Sequence, residues 1–343
     1  MRVLIIGGVS FIGRAVTREL LAGGHEVAVF HRGATQPDGT QSALHIHGDR
    51  DQLGLARAQF QAFRPDVAIH MIAMTRPHGA DFASALSGIA QRAVVISSQD
   101  VYRVYGRLLG TEPGPPDTLP VNEGSPLRER LYPYRGDKPR AEDDARKWMN
   151  HYDKIPVEQV VLSAPDLPCA VLRLPAVYGP NDQQRRFHAW LKHMDDGRPA
   201  ILLDAAEARW RWTHGYVDDV AHAITLAALD PRSAGRVYNV GERLALSLEE
   251  RVRAVAQAAG WHGQLALIPA GALPEPLRLG VMVGHDLISD TSRIRAELDY
   301  AELTSIEESY QRTIAWEREN PQATDEPGEF DYAREDTILA NLE

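Results

Sequence analysis

Val3-Leu4-Ile5-Ile6-Gly7-Gly8-Val9-Ser10-Phe11-Ile12-Gly13 is the stretch whose reading decides the fold. Four apolar residues stopped by a glycine pair read as a strand buried on both faces. Phe11 to Ala22 then carries apolar residues near helical spacing (Phe11, Ile12, Ala15, Val16, Leu20), and Gly23-Gly24 ends the run. Glycines between a strand and a helix let the backbone turn tightly and approach a pyrophosphate, which the free N–H groups of the helix start would hold.

The same rhythm continues outward. Short apolar runs at Glu26–Phe30, Ala43–His47, Val67–Met71, Ala93–Ser97, Ala170–Leu174 and Val237–Val240 alternate with helical patterns, which predicts an α/β fold with a doubly wound parallel sheet. Residues 103–133 cluster Gly110, Pro113, Gly114, Pro115, Pro116 and Pro120 and read as a long loop over the site. We expect the dinucleotide-binding domain in 1–180, with 212–241 returning to it. A smaller C-terminal substrate-binding lid is expected in 181–211 and 242–320, followed by a polar tail, 321–343, with Phe330, Tyr332, Ile338 and Leu339 as apolar anchors.

Bulk composition narrows the classes. The 343 residues are 44% hydrophobic with a formal charge of −10, a globular chain whose sign opposes nucleic-acid phosphate. Without an apolar stretch of about 18 residues or a basic leader, it reads as cytoplasmic and not membrane-bound. The single cysteine, Cys169, forms no internal disulfide and builds no thiolate metal site alone. It reads as a small buried apolar residue, and no metal is expected.

Gly7-Gly8-Val9-Ser10-Phe11-Ile12-Gly13 resembles the GxxGxxG fingerprint of the extended short-chain dehydrogenases, the superfamily of NAD-dependent epimerases and dehydratases, with Ser10 in place of the middle glycine. The resemblance implies a Rossmann-type domain whose cofactor contacts are Gly7, Gly8, Ser10, Phe11, Ile12 and Gly13, with Ile72, Ala73 and Pro175 further along. At the end of the second strand, Val29-Phe30-His31-Arg32 lacks the carboxylate that binds a ribose 2′-hydroxyl. With His31 and Arg32 there, NADP(H) is favoured over NAD(H). Gly48-Asp49-Arg50-Asp51 resembles the family segment whose aspartate meets the adenine amino group, which makes Asp49 the candidate. His70 is read as structural.

Tyr134 and Lys138 are four residues apart and, at the start of a helix, would share one face. The spacing is that of the family's YxxxK pair. A nearby ammonium and the oxidised nicotinamide ring favour phenolate, which makes a tyrosine usable as a base. Ser97-Ser98-Gln99-Asp100-Val101-Tyr102 resembles the family's SS-x-x-VY segment, which implies that Ser98 holds the substrate oxygen beside Tyr134. Asp100 stands where dehydratases place a second acid. It is carried as a catalytic candidate, against the alternative of a carboxylate capping the next turn.

Later segments extend the resemblance over about 315 residues: Leu172-Arg173-Leu174-Pro175-Ala176-Val177-Tyr178-Gly179-Pro180 is similar to LRxxNVYGP, and Tyr216-Val217-Asp218-Asp219-Val220-Ala221 to YVDDVA. Two positions depart: Ala176 replaces an asparagine, and the usual RDF arginine is displaced to Arg211. Arg209 and Arg211 are the candidate grips on an anionic substrate. The leading expectation is an epimerase/dehydratase-type oxidoreductase acting on a secondary alcohol or ketone of a sugar or nucleotide sugar, with Tyr134 as acid/base. The alternatives are an NADPH-dependent ketone reductase or alcohol dehydrogenase, and a non-catalytic dinucleotide- or RNA-binding relative. A homodimer built on a charged helix carrying Tyr134 and Lys138 is also expected.

Overall fold

Alternation within β1 (Arg2–Ile6) sets the architecture. Val3 and Ile5 point to one face and Leu4 and Ile6 to the other, all four without solvent exposure, so helices must cover both sides. The structure, a computed structural model, describes residues 1–33, 39–136, 138–144, 146–274, 277–278, 284–322 and 330–341. The remaining strands are β2 (Glu26–His31), β3 (Leu44–His47), β4 (Val67–His70), β5 (Arg92–Ser98), β6 (Cys169–Leu174), β7 (Ala176–Tyr178), β8 (Ala200–Asp204), β9 (His214–Tyr216), β10 (Val237–Asn239) and β11 (Gln264–Ile268). The helices are α1 (Phe11–Ala22), α2 (Arg57–Phe63), α3 (Arg76–Leu86), α4 (Arg103–Leu108), α5 (Lys154–Leu162), α6 (His188–Asp195), α7 (Val217–Leu229), α8 (Leu248–Ala259), α9 (Ser292–Leu298), α10 (Ile306–Glu319) and α11 (Tyr332–Ala340).

Seven strands form one parallel sheet in the order β10-β6-β5-β4-β1-β2-β3. They are the seven runs read from the sequence. The chain winds one way from β1 to β3 and the other way from β4 to β10. The order therefore reverses between β1 and β4 and leaves a crevice beyond their C-terminal ends, where ligands of such sheets bind. On one face Val3 and Ile5 pack with Val16 and Leu20 of α1 and Val220 and Ile224 of α7. On the other, Leu4 and Ile6 pack with Phe60 of α2, Phe82 of α3 and Val157 and Val161 of α5.

A smaller unit stands beside this sheet, where β8 pairs in parallel with β11 and α8 packs between α6 and α10. A capping box, Ser247 with Glu250, starts α8, and Gly260 at φ 72 ends it. The described end of the tail docks here. Tyr332 donates to Asp196 at 2.6 Å, Glu335 meets His193 at 3.0 Å, and Ile338 and Leu339 cover Leu202, Ile268 and Leu273. Residues 323–329 and 342–343 of the expected tail lie outside the described residues.

One expected element is absent. Residues 131–136 and 138–144 form turns and bends, so Tyr134 and Lys138 do not share a helix, and the charged dimer helix is not formed. Pro139 cannot supply the N–H that a helix begun at Tyr134 needs, and Gly136 sits at φ 68. The helix that does pack on β5 is α5. Asp153 caps it, accepting from the Ile155 N–H at 2.9 Å.

Beneath the site a buried polar network ties α5 to the sheet. Arg173 on β6 makes a two-point contact with Glu158 on α5, at 2.7 and 3.0 Å, and donates to the Tyr102 hydroxyl at 3.0 Å. Ser97 donates to Glu158 at 2.5 Å, and Tyr102 donates to Asn239 at 2.7 Å. Both ends of the ion pair are 5% exposed, so truncating one leaves the other charged and unpaired. Glu158→Gln is expected to destabilise the fold by about 3 to 5 kcal/mol, read by denaturant unfolding. A change below about 1 kcal/mol would contradict the role given to this pair.

Candidate active site

The crevice at β1 and β4 holds a cavity of about 380 Å³ lined by Gly7, Val9, Ser10, His31, Arg32, Asp49, Arg50, Ile72 and Gln183, among others. Gly7 turns the chain at φ 91. Ser10, the residue before α1, makes no side-chain cap, which leaves the first helical N–H groups to an anion. A Cβ on Gly13 would lie 2.1 Å from the Gly7 carbonyl oxygen, and one on Gly8 2.3 Å from the Val29 side chain. Gly8 and Gly13 thus shape the turn without lining the cavity, and Phe11 and Ile12 pack against the core. A dinucleotide fits: a pyrophosphate would sit over Gly7 and Ser10 and an adenosine between Arg32 and Asp49.

At the adenosine end the imidazoles are ordered in a chain. His31 Nδ1 accepts from the Gly33 N–H at 3.1 Å, so His31 Nε2 donates to His45 Nδ1 at 2.8 Å and His45 Nε2 donates to the Thr40 carbonyl at 3.1 Å. Burial, aided by His45 and His47, holds His31 below its usual range and hence neutral. Arg32 is exposed beside it. His70 is buried against Phe82, with ring centroids 4.9 Å apart.

The chemistry-bearing groups gather at the C-terminal end of β5. Ser98 closes the strand, and its hydroxyl oxygen accepts from the Asp100 N–H at 3.2 Å. Asp100 is 4% exposed, and its Oδ2 accepts from two phenols, Tyr152 at 2.8 Å and Tyr134 at 3.1 Å. Tyr134 in turn meets the Tyr105 hydroxyl at 3.0 Å. Burial pushes the Asp100 carboxyl up, against the nearby Arg128 charge. Burial first, and the Asp100 charge second, push Tyr134 and Tyr152 well above the usual phenol range. The Ser98 hydroxyl acts the other way on Tyr152, to lower it.

The lysine of this cluster is Lys154. Lys138 is exposed, whereas Lys154 is 3% exposed and donates from Nζ to the carbonyls of Ala73 at 2.7 Å and Ile96 at 3.0 Å. Its Nζ lies 5.8 Å from the Tyr152 ring centre. Burial lowers it to about 8, while Asp100 and Glu158 act to raise it. Four residues before it stands Asn150, which exchanges two hydrogen bonds of 2.9 Å with the backbone of Arg140 and takes no part in the cluster. Tyr134 reaches Asp100 by another route. Arg128 donates to Asp153 at 3.1 Å and to the Asp100 carbonyl at 2.5 Å, and Asp153 accepts from the Tyr132 N–H at 2.6 Å. That clip draws the turn bearing Tyr134 over β5.

A second cavity, of about 450 Å³, is lined by Arg185, Arg186, Trp190, Trp210, Trp212, His214 and Arg251, among others. Arg186 joins it to the cluster, its charge lying near Tyr105 and Tyr134. Arg209 and Arg211, expected as substrate grips, do not line it. Side chains alternate along this extended stretch, so Trp210 and Trp212 face inward. Arg209 is exposed and Arg211 pairs with Glu250 at 3.1 Å. Two lining donors, Trp212 Nε1 and Arg185 Nη1, are buried with no protein acceptor among the described residues. Pro175 is half-buried against Gly215 and Gly241.

Residues 3–241 match the profile of the NAD dependent epimerase/dehydratase family. The chain belongs to that family. It is an enzyme of the extended short-chain dehydrogenase type. The 2'-dehydrokanamycin reductase of Streptomyces kanamyceticus is 28% identical over 322 residues, 91% of this chain and 80% of the relative. The UDP-glucose 4-epimerase of Mycolicibacterium smegmatis is 26% identical over 356 residues, 94% of this chain and 100% of that protein. The Bordetella bronchiseptica enzyme WbmG, solved in complex with NAD and UDP, superposes with a TM-score of 0.68 at 19% identity, covering 93% of this chain and 96% of that one.

Sequence reading did not single out Tyr152 and Lys154, which the structure brings to the end of β5, or the arginines and tryptophans that line the second cavity. A signal for Lys154 was present: Asp153 as a cap, then Ile155, Val157, Val160 and Val161 at helical spacing without a glycine. Lys154→Met is expected to weaken dinucleotide binding about tenfold or more, the scale of one hydrogen bond to a charged donor, while Lys138→Ala leaves it unchanged. Because Lys154 is cationic only below about 8, native affinity should fall as pH rises through that value, and the Lys154→Met protein should lose this dependence. Fluorescence titration across pH reads both. Equal losses from the two substitutions would place the lysine wrongly.

Proposed function

We propose that the protein reduces a ketone on a sugar-like substrate, transferring hydride from a bound nicotinamide dinucleotide, with Tyr152 as proton donor and Ser98 holding the substrate oxygen. One observation carries this reading: Ser98, Tyr152 and Lys154 lie together at the end of β5, with the Tyr152 phenol kept protonated by burial and by Asp100. When bound, the cofactor supplies the hydride. Ser98 would donate to the substrate oxygen and orient it. Tyr152 would give that oxygen its proton, and Lys154, with one N–H beyond its two backbone bonds, would hold a ribose hydroxyl and offset the phenolate charge. A phenol held in its acid form suits reduction better than proton abstraction, which also agrees with the name of the kanamycin-related relative.

The second cavity supports the substrate class. Tryptophan walls and inward N–H donors without acceptors among the described residues suit a polyhydroxylated ring or a phosphate-bearing one. A nucleotide sugar, the substrate in the name of the Mycolicibacterium smegmatis relative, would meet the same donors. For the cofactor, NADP is favoured, because a neutral His31 and an exposed Arg32 stand where a carboxylate would select NAD.

Tyr152→Phe should lower turnover by about 10² to 10⁴ with little change in dinucleotide affinity. The assay is a panel of keto-sugars and nucleotide sugars followed by reduced-dinucleotide absorbance. Near-native turnover in Tyr152→Phe would overturn the assignment. Arg32→Asp should weaken NADP much more than NAD in a binding titration. Equal effects on both would count against the NADP preference.

A further inference from the structure

The two phenols on Asp100 raise a question that the reduction step leaves open, namely how the buried donor is recharged. Tyr152 is 8% exposed and Asp100 4%, so bulk water does not reach either hydroxyl or carboxylate freely. Yet Tyr152, Asp100, Tyr134 and Tyr105 form an unbroken series of oxygens at 2.8, 3.1 and 3.0 Å. Its two ends differ. Tyr152 is buried beside Ser98 and over Lys154, while Tyr134 and Tyr105 are only partly buried and lie near Arg186, which lines the second cavity.

We propose that Tyr152, Asp100, Tyr134 and Tyr105 form a proton relay that resupplies the reacting phenol from the tryptophan-lined cavity. The relay rests on the reading of Tyr152 as proton donor. Once Tyr152 has given its proton to the substrate oxygen, the Tyr134 O–H bond breaks and its proton passes to Asp100 Oδ2. That O–H bond then breaks in turn, and the proton restores the Tyr152 hydroxyl. The result is a neutral Tyr152 and a Tyr134 phenolate, which takes a proton from Tyr105 or from water in the cavity. No electrons are exchanged, and one proton enters for each one delivered. The arrangement accounts for two features that a purely structural carboxylate does not need. Both phenols address the same oxygen, Oδ2, while Oδ1 has no partner among the described residues. Asp100 is also kept from a strong ion pair, since Arg128 spends its donors on backbone carbonyls and Asp153. A carboxylate so placed changes its protonation state more readily than one locked to a guanidinium.

The relay is read without substrate or cofactor. In protein labelled with [13Cζ]tyrosine and dissolved in equal H2O and D2O, a hydroxyl that exchanges fast gives one averaged Cζ line, and one that exchanges slowly gives two. Tyr152 is expected to give one line although it is buried. Tyr102, whose hydroxyl is closed in a buried network with Asn239 and Arg173, should give two and serves as the internal reference. Tyr134→Phe should split the Tyr152 line and leave the Tyr102 lines in place, which also shows that the fold is retained. Tyr105→Phe, farther from Asp100, should broaden or split the Tyr152 line as well. Two lines for Tyr152 in the native protein, or one line unchanged in Tyr134→Phe, would overturn the relay. Failure of the donor assignment is separate, since it appears as turnover surviving Tyr152→Phe.

Discussion

A single buried cation organises the active end of this molecule. The Lys154 ammonium is removed from water and satisfied by the carbonyls of Ala73 and Ile96, at the C-terminal ends of β4 and β5. Burying an ammonium costs several kcal/mol unless donors and charges are matched, and the match here fixes three elements at once. It holds α5 against the ends of β4 and β5 and sets the height of Tyr152 above β5. Asp100 and Glu158 supply the negative charge that keeps the lysine cationic near neutrality.

Around that cation the polar groups fall into two layers with different duties. The lower one, Arg173, Glu158, Ser97, Tyr102 and Asn239, is paired within itself and locks β5, β6, β10 and α5 together. The upper one, Ser98, Asp100, Tyr152, Tyr134 and Tyr105, is less completely paired, with Asp100 Oδ1 lacking a partner among the described residues. Gln99, between the two layers, donates to the Val240 carbonyl at 3.0 Å and joins the end of β5 to the end of β10. A rigid base under an adaptable polar surface is the arrangement that positions reacting groups closely.

The sheet was legible in the sequence because both-face burial leaves short apolar runs with no other reading, and the glycine turn after β1 has a steric cause at Gly13. The position of Ser98 and Asp100 at the end of β5 was legible because they follow such a run directly. The lysine was not. Tyr134 and Lys138 have the spacing of the family's pair, but spacing matters only on a helix, and Gly136 and Pro139 deny them one. Asn150, four residues before Lys154, leaves the start of α5 without a tyrosine at that spacing. Arg211 turns away from the second cavity because an extended stretch alternates its faces and gives it Trp210 and Trp212 instead, while Arg209 ends a short 3-10 helix and is exposed. Contacts made across long loops, such as Arg128 with Asp153, carry no local pattern, and they are what bring Tyr134 to Asp100.

The central claim, that Lys154 and not Lys138 is the lysine of the site, is tested most directly by the side-chain nitrogens themselves. The chain has four lysines, Lys138, Lys147, Lys154 and Lys192, so [15Nζ]lysine NMR yields a spectrum of four groups assignable by single substitutions. On this account the Lys154 signal titrates at about 8 and is the one displaced when NADP or NAD is added, while Lys138 stays in place. Displacement of the Lys138 signal by the dinucleotide, with Lys154 unmoved, would contradict it.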